Sequence, residues 1–314
     1  MVLNPQDEEM REVTVSREQD EKSYEAGAAI NQTSLWRDAL RRFVRNRAAL
    51  ISMVAFVLML AYVVFIPIFD SLDPNAVDFS LAYQGPSWAH PFGTDQFGRD
   101  LFVRTALGGR VSIGIGIAGT MAIMVIGILY GAISGFIGGW LDNAMMRFLD
   151  ALYGLPYLPF AIITLAIFGT VNFWTMVVAL TIASWFTTAR VMRGQIISLK
   201  ENDYVRAARA IGANWSRILF RHLLPNTLGV LLVFVFLELP GVVLGEAFLS
   251  YLGLGINPPA ASWGSLAEDG KEQFLSHPIL IVIPGAAIAW LILSAFFIAD
   301  GLRDALDPRT NTAA

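Results

Sequence analysis

Six long apolar runs limit this chain to one broad architecture. The first, residues 49–69, contains no charged residue. A helix of that length, rising about 1.5 Å per residue, crosses an apolar layer about 30 Å thick. The other five runs, of which the fifth is interrupted by Glu238 and Pro240, cover residues 111–139, 151–170, 171–189, 226–250 and 279–299. We therefore expect an all-α, polytopic membrane protein with six transmembrane helices.

Charged residues make up only 15% of the 314 residues, whereas soluble domains carry about 25%. This composition excludes an ordinary cytosolic enzyme. Residues 1–34 hold eight acids and three bases, so a tail of −5 and a body of +1 give the net charge of −4. We expect this tail to be disordered, since it lacks an apolar run and a helical period. The chain has no Cys, which excludes disulfides and thiolate metal sites.

Lys and Arg are concentrated on one side of the predicted spans. With a cytoplasmic N-terminus, fifteen of the nineteen bases after residue 34 fall in inner segments and four in outer ones, as positive-inside topology requires. We therefore place both termini in the cytoplasm and the chain in the plasma membrane. The predicted parts are a tail (1–34), an interfacial helix with the first span and an outer loop (35–110), a five-helix core (111–300) and a C-terminal tail (301–314).

Just before the first span, apolar and basic residues fall on opposite faces of a predicted helix. Ser34 is its candidate N-cap, and the apolar face holds Trp36, Leu40, Phe43 and Val44. We expect this helix to lie along the inner membrane surface.

Glycines recur every fourth residue in the second span, at Gly127, Gly131, Gly135 and Gly139. This spacing leaves a ridge without side chains, which lets another helix approach closely. We expect the ridge to pack within this chain, because six helices must first pack on one another.

The predicted inner loop at residues 190–225 has a helical pattern throughout. One face carries small and apolar residues at i, i+3, i+4 and i+7: Tyr204, Ala207, Ala208 and Ile211. Gly212 ends this helix, and a second helix runs from an Asn214 cap to a stop at Pro225. Such a shallow face fits a groove on another protein, but the seven bases of the loop equally suit a hairpin on lipid headgroups. The pattern leaves both interpretations open.

Residues 203–226, DYVRAARAIGANWSRILFRHLLPN, resemble the EAA loop of bacterial ATP-binding-cassette importer permeases. The matching positions are Asp203, Ala207, Ala208, Gly212, His222, Leu224 and Pro225, with Asp203 where relatives often carry Glu. In that family the first short helix docks in a cleft of the ATPase subunit, so the resemblance favours the groove. It implies an ATPase-coupling site made of Asp203, Tyr204, Ala207, Ala208, Ile211, Gly212, His222 and Pro225.

Three further segments are similar to signatures of the dipeptide, oligopeptide and nickel permeases. They are GTDQFGRDLFVRTALGGRVSI at 93–113, EAFLSYLGLGINPPAASWGSL at 246–266 and DGLRDALDPR at 300–309. The resemblance covers roughly residues 35–310 and points to the C-type subunit of a permease pair. It implies the core of type I (MetI-like) importers and the import of oligopeptides or dipeptides, with nickel or another small solute as the alternative.

The same resemblance implies a set of partners. They are a homologous B-type permease, two ABC ATPases that bind ATP and Mg, and an extracytoplasmic peptide-binding protein. We expect no cofactor on this chain itself and no nucleic-acid partner.

The motif before the second span also has an interpretation of its own. Asp95 with Arg99, and Asp100 with Arg104, are spaced i,i+4, which predicts a short outer helix with paired charges. We favour a role in solubilising and capping that helix over direct contact with substrate.

After the fifth span, Pro258, Pro259, Trp263 and Gly264 predict a rigid turn with a tryptophan anchored at the membrane interface. A docking platform for a binding protein, an outer gate and simple loop rigidity are all compatible with this turn.

Catalytic and nucleotide-binding patterns are missing from the sequence. No GxxxxGK[ST] occurs, which excludes nucleotide binding by a P-loop. The three histidines, His90, His222 and His277, are too far apart in sequence to suggest a metal site or a catalytic pair. We therefore predict a non-catalytic subunit whose energy comes from a partner.

Glu238 lies twelve residues into the fifth apolar run, where an acid costs about 2.5–3.5 kcal/mol on insertion scales. One hypothesis is that Glu238 and Pro240 line the substrate path, with Glu238 contacting a peptide's amino group and Pro240 loosening the helix. The other is a protonated acid hydrogen-bonded to a neighbouring helix. A secondary transporter driven by protons through Glu238 is a further alternative, but we find no internal repeat to support it.

Overall fold

A computed structural model describes residues 35–69 and 75–306. Within these two stretches the chain is helical and has no strand, and its one β-type pairing is a bridge between Thr94 and Asp100. The all-α prediction is therefore confirmed. The predicted acidic tail, the predicted Ser34 N-cap of the interfacial helix and the last residues, 307–314, lie outside the described residues.

The helices from α3 to α10 follow one another with short connections, whereas a long segment separates α2 from α3. They are α1 Leu35–Arg45, α2 Arg47–Phe69, α3 Leu101–Ile137, α4 Gly139–Tyr153, α5 Tyr157–Phe168, α6 Phe173–Ile182, α7 Trp185–Leu199, α8 Asp203–Ala210, α9 Trp215–Ile218, α10 Leu224–Leu249, α11 Trp263–Gly270 and α12 Ile279–Leu306. One π turn, Leu219–Leu223, joins α9 to α10, and a second, Ser250–Leu254, follows α10. Trp215–Leu254 is thus one helix of 40 residues.

Six membrane spans are present when each bent pair of helices counts as one, which confirms the predicted number. α2, α3, the α9–α10 helix and α12 are each long and apolar enough to cross alone. The other two spans are α4 with α5, bent by 90°, and α6 with α7, bent by 52°. The first of these begins at Gly139 rather than near residue 151. Its bend comes just before Pro156, because the residue preceding a proline is disfavoured in the helical conformation.

α3 starts ten residues before the predicted second span. Asp100 caps it, because its carboxylate accepts the N–H groups of Phe102 (2.7 Å) and Val103 (3.1 Å). A search for uncharged runs misses these first turns because they contain Arg104 and Arg110.

The glycine ridge of α3 packs against α7 within this chain, as predicted. A methyl group added at Gly127 would lie 2.7 Å from Cβ of Thr188, and one at Gly131 would overlap the carbonyl oxygen of Ala189. Gly139 is not part of this contact, since its surroundings are open. The two helix backbones therefore touch where side chains are missing.

Among the described residues, several buried clusters lie around this contact, and the smallest, Leu149, Phe186 and Ala189, includes the α7 residue that touches Gly131. A second joins α3, α5, α6 and α10, and its members include Ile115, Leu165, Met176, Leu180 and Val242. A third lies around the segment between α7 and α10. That segment is the one with the predicted function.

Replacing Gly131 with Ala should lower the melting temperature of the detergent-solubilised protein, since the new methyl group pushes α3 away from the α7 backbone. Overpacking of this kind costs about 1–3 kcal/mol. Gly194→Ala on α7 is the matched control, because nothing lies within 4 Å of the Cβ it would add. Thermal unfolding followed by tryptophan fluorescence compares the two, and equal melting temperatures would contradict the close contact.

Candidate functional site

The predicted helix, glycine and second helix between α7 and α10 are all present in residues 203–218, called the α8–α9 segment below. α8 ends where Gly212 takes a positive φ of 82°. The Ala213 N–H bonds to the carbonyl of Ala208 (3.0 Å), as in a glycine C-cap. Asn214 caps α9 by accepting a backbone N–H three residues later (2.8 Å).

The outward face of α8 differs from the predicted face at one position. Tyr204 and Ala207 are exposed, and Ile211, directly after the helix, is 86% exposed. Ala208 is only 7% exposed and is buried together with Val205. Ala208 therefore does not lie on the exposed face with Tyr204, Ala207 and Ile211, contrary to the predicted face, and its part in ATPase coupling stays a prediction. Val205 and Ala208, three residues apart, share one side of the helix, and that side packs on the chain's own core.

This buried side joins the α8–α9 segment to the spans. Val205 and Ala208 belong to one buried cluster with residues of three neighbouring helices and the first π turn: Ala132 of α3, Met192 and Ile196 of α7, Ile218 of α9, and Leu219 and Leu223 of the turn. Close-packed side chains transmit displacement. α8 is therefore tied to α3 and α7 through this cluster, and to a third span through the continuous α9–α10 helix.

Pro225 does not end the second helix, contrary to the prediction. It is the second residue of α10, which follows the first π turn without a break. Proline has no N–H to donate, and it comes just after the π turn, where the Leu224 N–H bonds to Leu219 and the regular helical hydrogen-bond pattern is already interrupted. His222 is half-buried, and its carbonyl accepts the Asn226 amide (2.6 Å). The predicted loop at 190–225 is also shorter than expected, because α7 extends to Leu199.

A partly buried ion pair, which the sequence predictions missed, ties α4 to α7 beside this segment. Arg193 donates from Nε and Nη2 to the two carboxylate oxygens of Asp142 (2.5 and 2.6 Å), and Ser134 donates to the same carboxylate. Lys200 donates to the carbonyl of Gly135 (2.9 Å). No local pattern links Asp142 with a residue 51 positions later, so only the fold reveals the pair.

Glu238 is half-buried in α10, and its polar surroundings include Thr188 of α7 and Tyr157 of α5. Pro240 is buried, and α10 runs through it as an unbroken helix. The predicted loosening at Pro240 thus does not interrupt the span. The role of these two residues in a substrate path stays a prediction.

Glu246 is a second acid in the fifth apolar run, and the sequence predictions did not use it. Its side chain is fully buried. Ser112 (2.8 Å) and Ser250 (2.7 Å) donate to its two carboxylate oxygens, and the backbone N–H of Trp263 donates to Ser112 (3.0 Å). Glu246 thereby joins α3, α10 and α11. An acid inside an apolar run is the signal that could have found it.

The motif before α3 forms turns rather than the predicted short helix. Asp95 does pair with Arg99 (2.6 Å), but it also accepts two backbone N–H groups of its own turn, which favours a turn over a helix. Asp100 caps α3 instead of pairing with Arg104. Arg104 lies 3.6 Å from Asp95 and 3.9 Å from Asp269.

Trp263 is not an interfacial anchor, contrary to the prediction. It is fully buried at the start of α11, and its indole Nε1 donates to the carbonyl of Thr105 (2.8 Å). A buried tryptophan needs such an acceptor, and the first turns of α3 supply it.

Two family models match the chain. The binding-protein-dependent transport system inner membrane component matches residues 127–312, more than half of the chain. The N-terminal transmembrane domain of oligopeptide transport permease C matches residues 34–86. The chain belongs to this family of transport-system membrane components. The larger match includes the α8–α9 segment and both acids of α10.

Similar relatives align with this permease along most of its length. The oligopeptide transport system permease protein OppC of Bacillus subtilis is 41% identical over 88% of this chain and 90% of the relative. OppC of Escherichia coli K12 is 41% identical over 88% and 92%. The dipeptide transport system permease protein DppC of Bacillus subtilis is 40% identical over 92% and 91%.

Replacing Asp142 with Asn should lower the stability of this permease, because Arg193 loses its bidentate carboxylate acceptor. Hydrogen bonds to a charged group contribute about 1.5–3 kcal/mol. Asp150→Asn is the matched control. It breaks the exposed pair of Asp150 with Arg190 (2.8 Å), and such pairs contribute less than about 1 kcal/mol. Thermal unfolding in detergent measures both losses. If Asp150→Asn lowered the stability as much as Asp142→Asn, the Asp142–Arg193 pair would have no special role.

Proposed function

We propose that this permease is the C-type subunit of an ATP-driven importer that moves oligopeptides or dipeptides across the plasma membrane. The α8–α9 segment carries the proposal. It presents Tyr204, Ala207 and Ile211 to the outside while its other side is packed on the spans. A small, exposed apolar face fits a groove on a separate subunit. The relatives named as oligopeptide and dipeptide permeases support the choice of cargo.

In this proposal the complete importer contains this chain and three kinds of partner. This chain pairs with a homologous B-type permease, two ATPases supply energy from ATP and Mg, and an extracytoplasmic binding protein delivers the peptide. This chain is non-catalytic and binds no cofactor, in keeping with a sequence that has no P-loop. Both termini face the cytoplasm, which puts the α8–α9 segment on the ATPase side.

The proposed mechanism uses the packing of the α8–α9 segment as a mechanical connection. When the ATPases close on ATP, they move α8. Because Val205 and Ala208 belong to one buried cluster with residues of α3 and α7, and α9 continues into α10, three spans move together. The Asp142–Arg193 pair carries the movement to α4. The spans of this chain and of the B-type subunit then move relative to one another, which opens the peptide path to one side of the membrane at a time. ATP hydrolysis returns the importer to its starting state.

Cysteine substitution tests the coupling role, because the chain has no Cys of its own. Ala207→Cys in the assembled complex should be joined to an ATPase subunit by a thiol-to-amine cross-linker. Ala208→Cys is the matched control and should give little product, since this position is 7% exposed. Gel electrophoresis after treatment with and without nucleotide measures the product. Equal yields at the two positions, or no product at Ala207 in any nucleotide state, would count against the docking face.

We further propose that Glu238 and Pro240 line the peptide path. Glu238→Gln should reduce uptake of cationic peptides relative to neutral ones by roughly fivefold, since a weak charge contact contributes up to about 1 kcal/mol. Uptake of lysine-containing and uncharged tripeptides into proteoliposomes carrying the complete importer measures this preference. An equal change for both peptides would place Glu238 outside the path.

A further inference from the structure

A cavity of about 420 Å³ lies at the Arg104 end of α3, the opposite end of this helix from the α8–α9 segment. It lies between the turns before α3 and the loop and helix that follow α10, and it is partly open to the outside. Its lining includes Phe97, Arg99, Arg104, Ile256, Pro258 and Asp269. Its volume falls in the range of small-ligand pockets, which combine apolar walls with a few polar groups.

Arg104 is the unusual member of this lining. Its side chain is 5% exposed, and its Nε has no hydrogen-bond partner among the described residues. The nearest acids, Asp95 at 3.6 Å and Asp269 at 3.9 Å, compensate its charge but lie beyond hydrogen-bonding distance. A buried charged donor without an acceptor is costly. An acceptor supplied by a ligand would remove that cost.

The two acids are poor candidates for the missing acceptor. Asp95 is already committed to Arg99 (2.6 Å) and to its own turn. Asp269 is shared between Arg99 (3.8 Å) and Arg104 (3.9 Å), and it lies beyond hydrogen-bonding distance of both. A planar guanidinium binds a carboxylate through two parallel hydrogen bonds. Glu268 also lines the cavity, but it accepts a hydrogen bond from Lys271 (2.6 Å). The Arg104 guanidinium, whose Nε has no partner among the described residues, is therefore the group on this wall that suits an external carboxylate.

We propose that this cavity is a subsite for the C-terminal carboxylate of a short peptide, bound by Arg104 with Arg99 beside it. The inference rests on the proposed function, in which peptides are the cargo and the Arg104 end of α3 faces the outer side of the membrane. Phe97, Ile256 and Pro258 form an apolar wall for the peptide's last side chain. A partly open cavity with a buried guanidinium in its wall fits the end of a small ligand better than the broad surface of a folded partner.

Binding of trialanine and of its C-terminal amide tests the subsite. The importer complex in nanodiscs, without binding protein, is titrated with each peptide and followed by saturation-transfer NMR. Trialanine should bind at least about tenfold more tightly than the amide, because a charge-assisted pair is lost in the amide. Arg104→Met should abolish this preference. Arg110→Gln is the control, since this arginine of the same helix donates to backbone carbonyls of α2 instead.

A second pair of variants avoids the buried arginine. Ala260 lines the cavity and is exposed, so substitution there leaves the fold intact. Ala260→Glu should abolish the preference by repelling the carboxylate, and Ala260→Gln should retain it.

Three results would overturn the subsite. The first is equal binding of trialanine and its amide to the unmodified complex. The second is a preference for trialanine that stays unchanged in both Arg104→Met and Ala260→Glu. The third is that Ala260→Glu prevents docking of the binding protein while the unmodified complex binds neither peptide. ATP-driven uptake with binding protein, measured in parallel, separates the two proposals. Uptake without subsite binding rejects the subsite alone, whereas no uptake by the unmodified complex rejects the proposed function.

Discussion

The backbone contact between α3 and α7 is the interaction on which the rest of the structure depends. At Gly131, α3 lies so close to Ala189 that not even a methyl group fits between them. Within a bilayer, apolar side chains gain little by leaving lipid, so close van der Waals packing of small residues holds helices together. This contact fixes the position of α7. It thereby brings Arg193 within reach of Asp142 and creates the surface on which α8 is packed.

α8 is an eight-residue helix, too short to be stable alone in water, so its order depends on that surface. Val205 and Ala208 fix one side, and the turn at Gly212 with the Asn214 cap fixes its end. The opposite side stays exposed although it is apolar at Ile211. A helix fixed on one side and exposed on the other can transmit force without changing shape, and this is what coupling to a separate motor requires.

The parts of this structure that the sequence could predict are those set by local spacing. Uncharged runs predicted the spans, and residues 203–218 predicted two helices joined at Gly212. The errors come where a distant residue decides the outcome. Trp263 resembles an interfacial anchor, yet the carbonyl of Thr105, 158 positions away, satisfies its indole and permits burial. The local spacing of Ala208 fits both a docking face and a core position. Only the packing of α3 and α7 beside α8 determines that it is buried.

Polar contacts divide the permease core into regions that resist rearrangement to different degrees. Asp142 locks the end near α8, and Glu246 with its two serines locks the other end of α10 to α3 and α11. Hydrogen bonds depend steeply on distance and angle, so each end moves as a unit. Between these ends α10 meets its neighbours through apolar side chains such as Leu180 and Val242, whose contacts are non-directional. Glu238 lies in this stretch of α10, so a rearrangement of the helix there would leave both polar clusters intact.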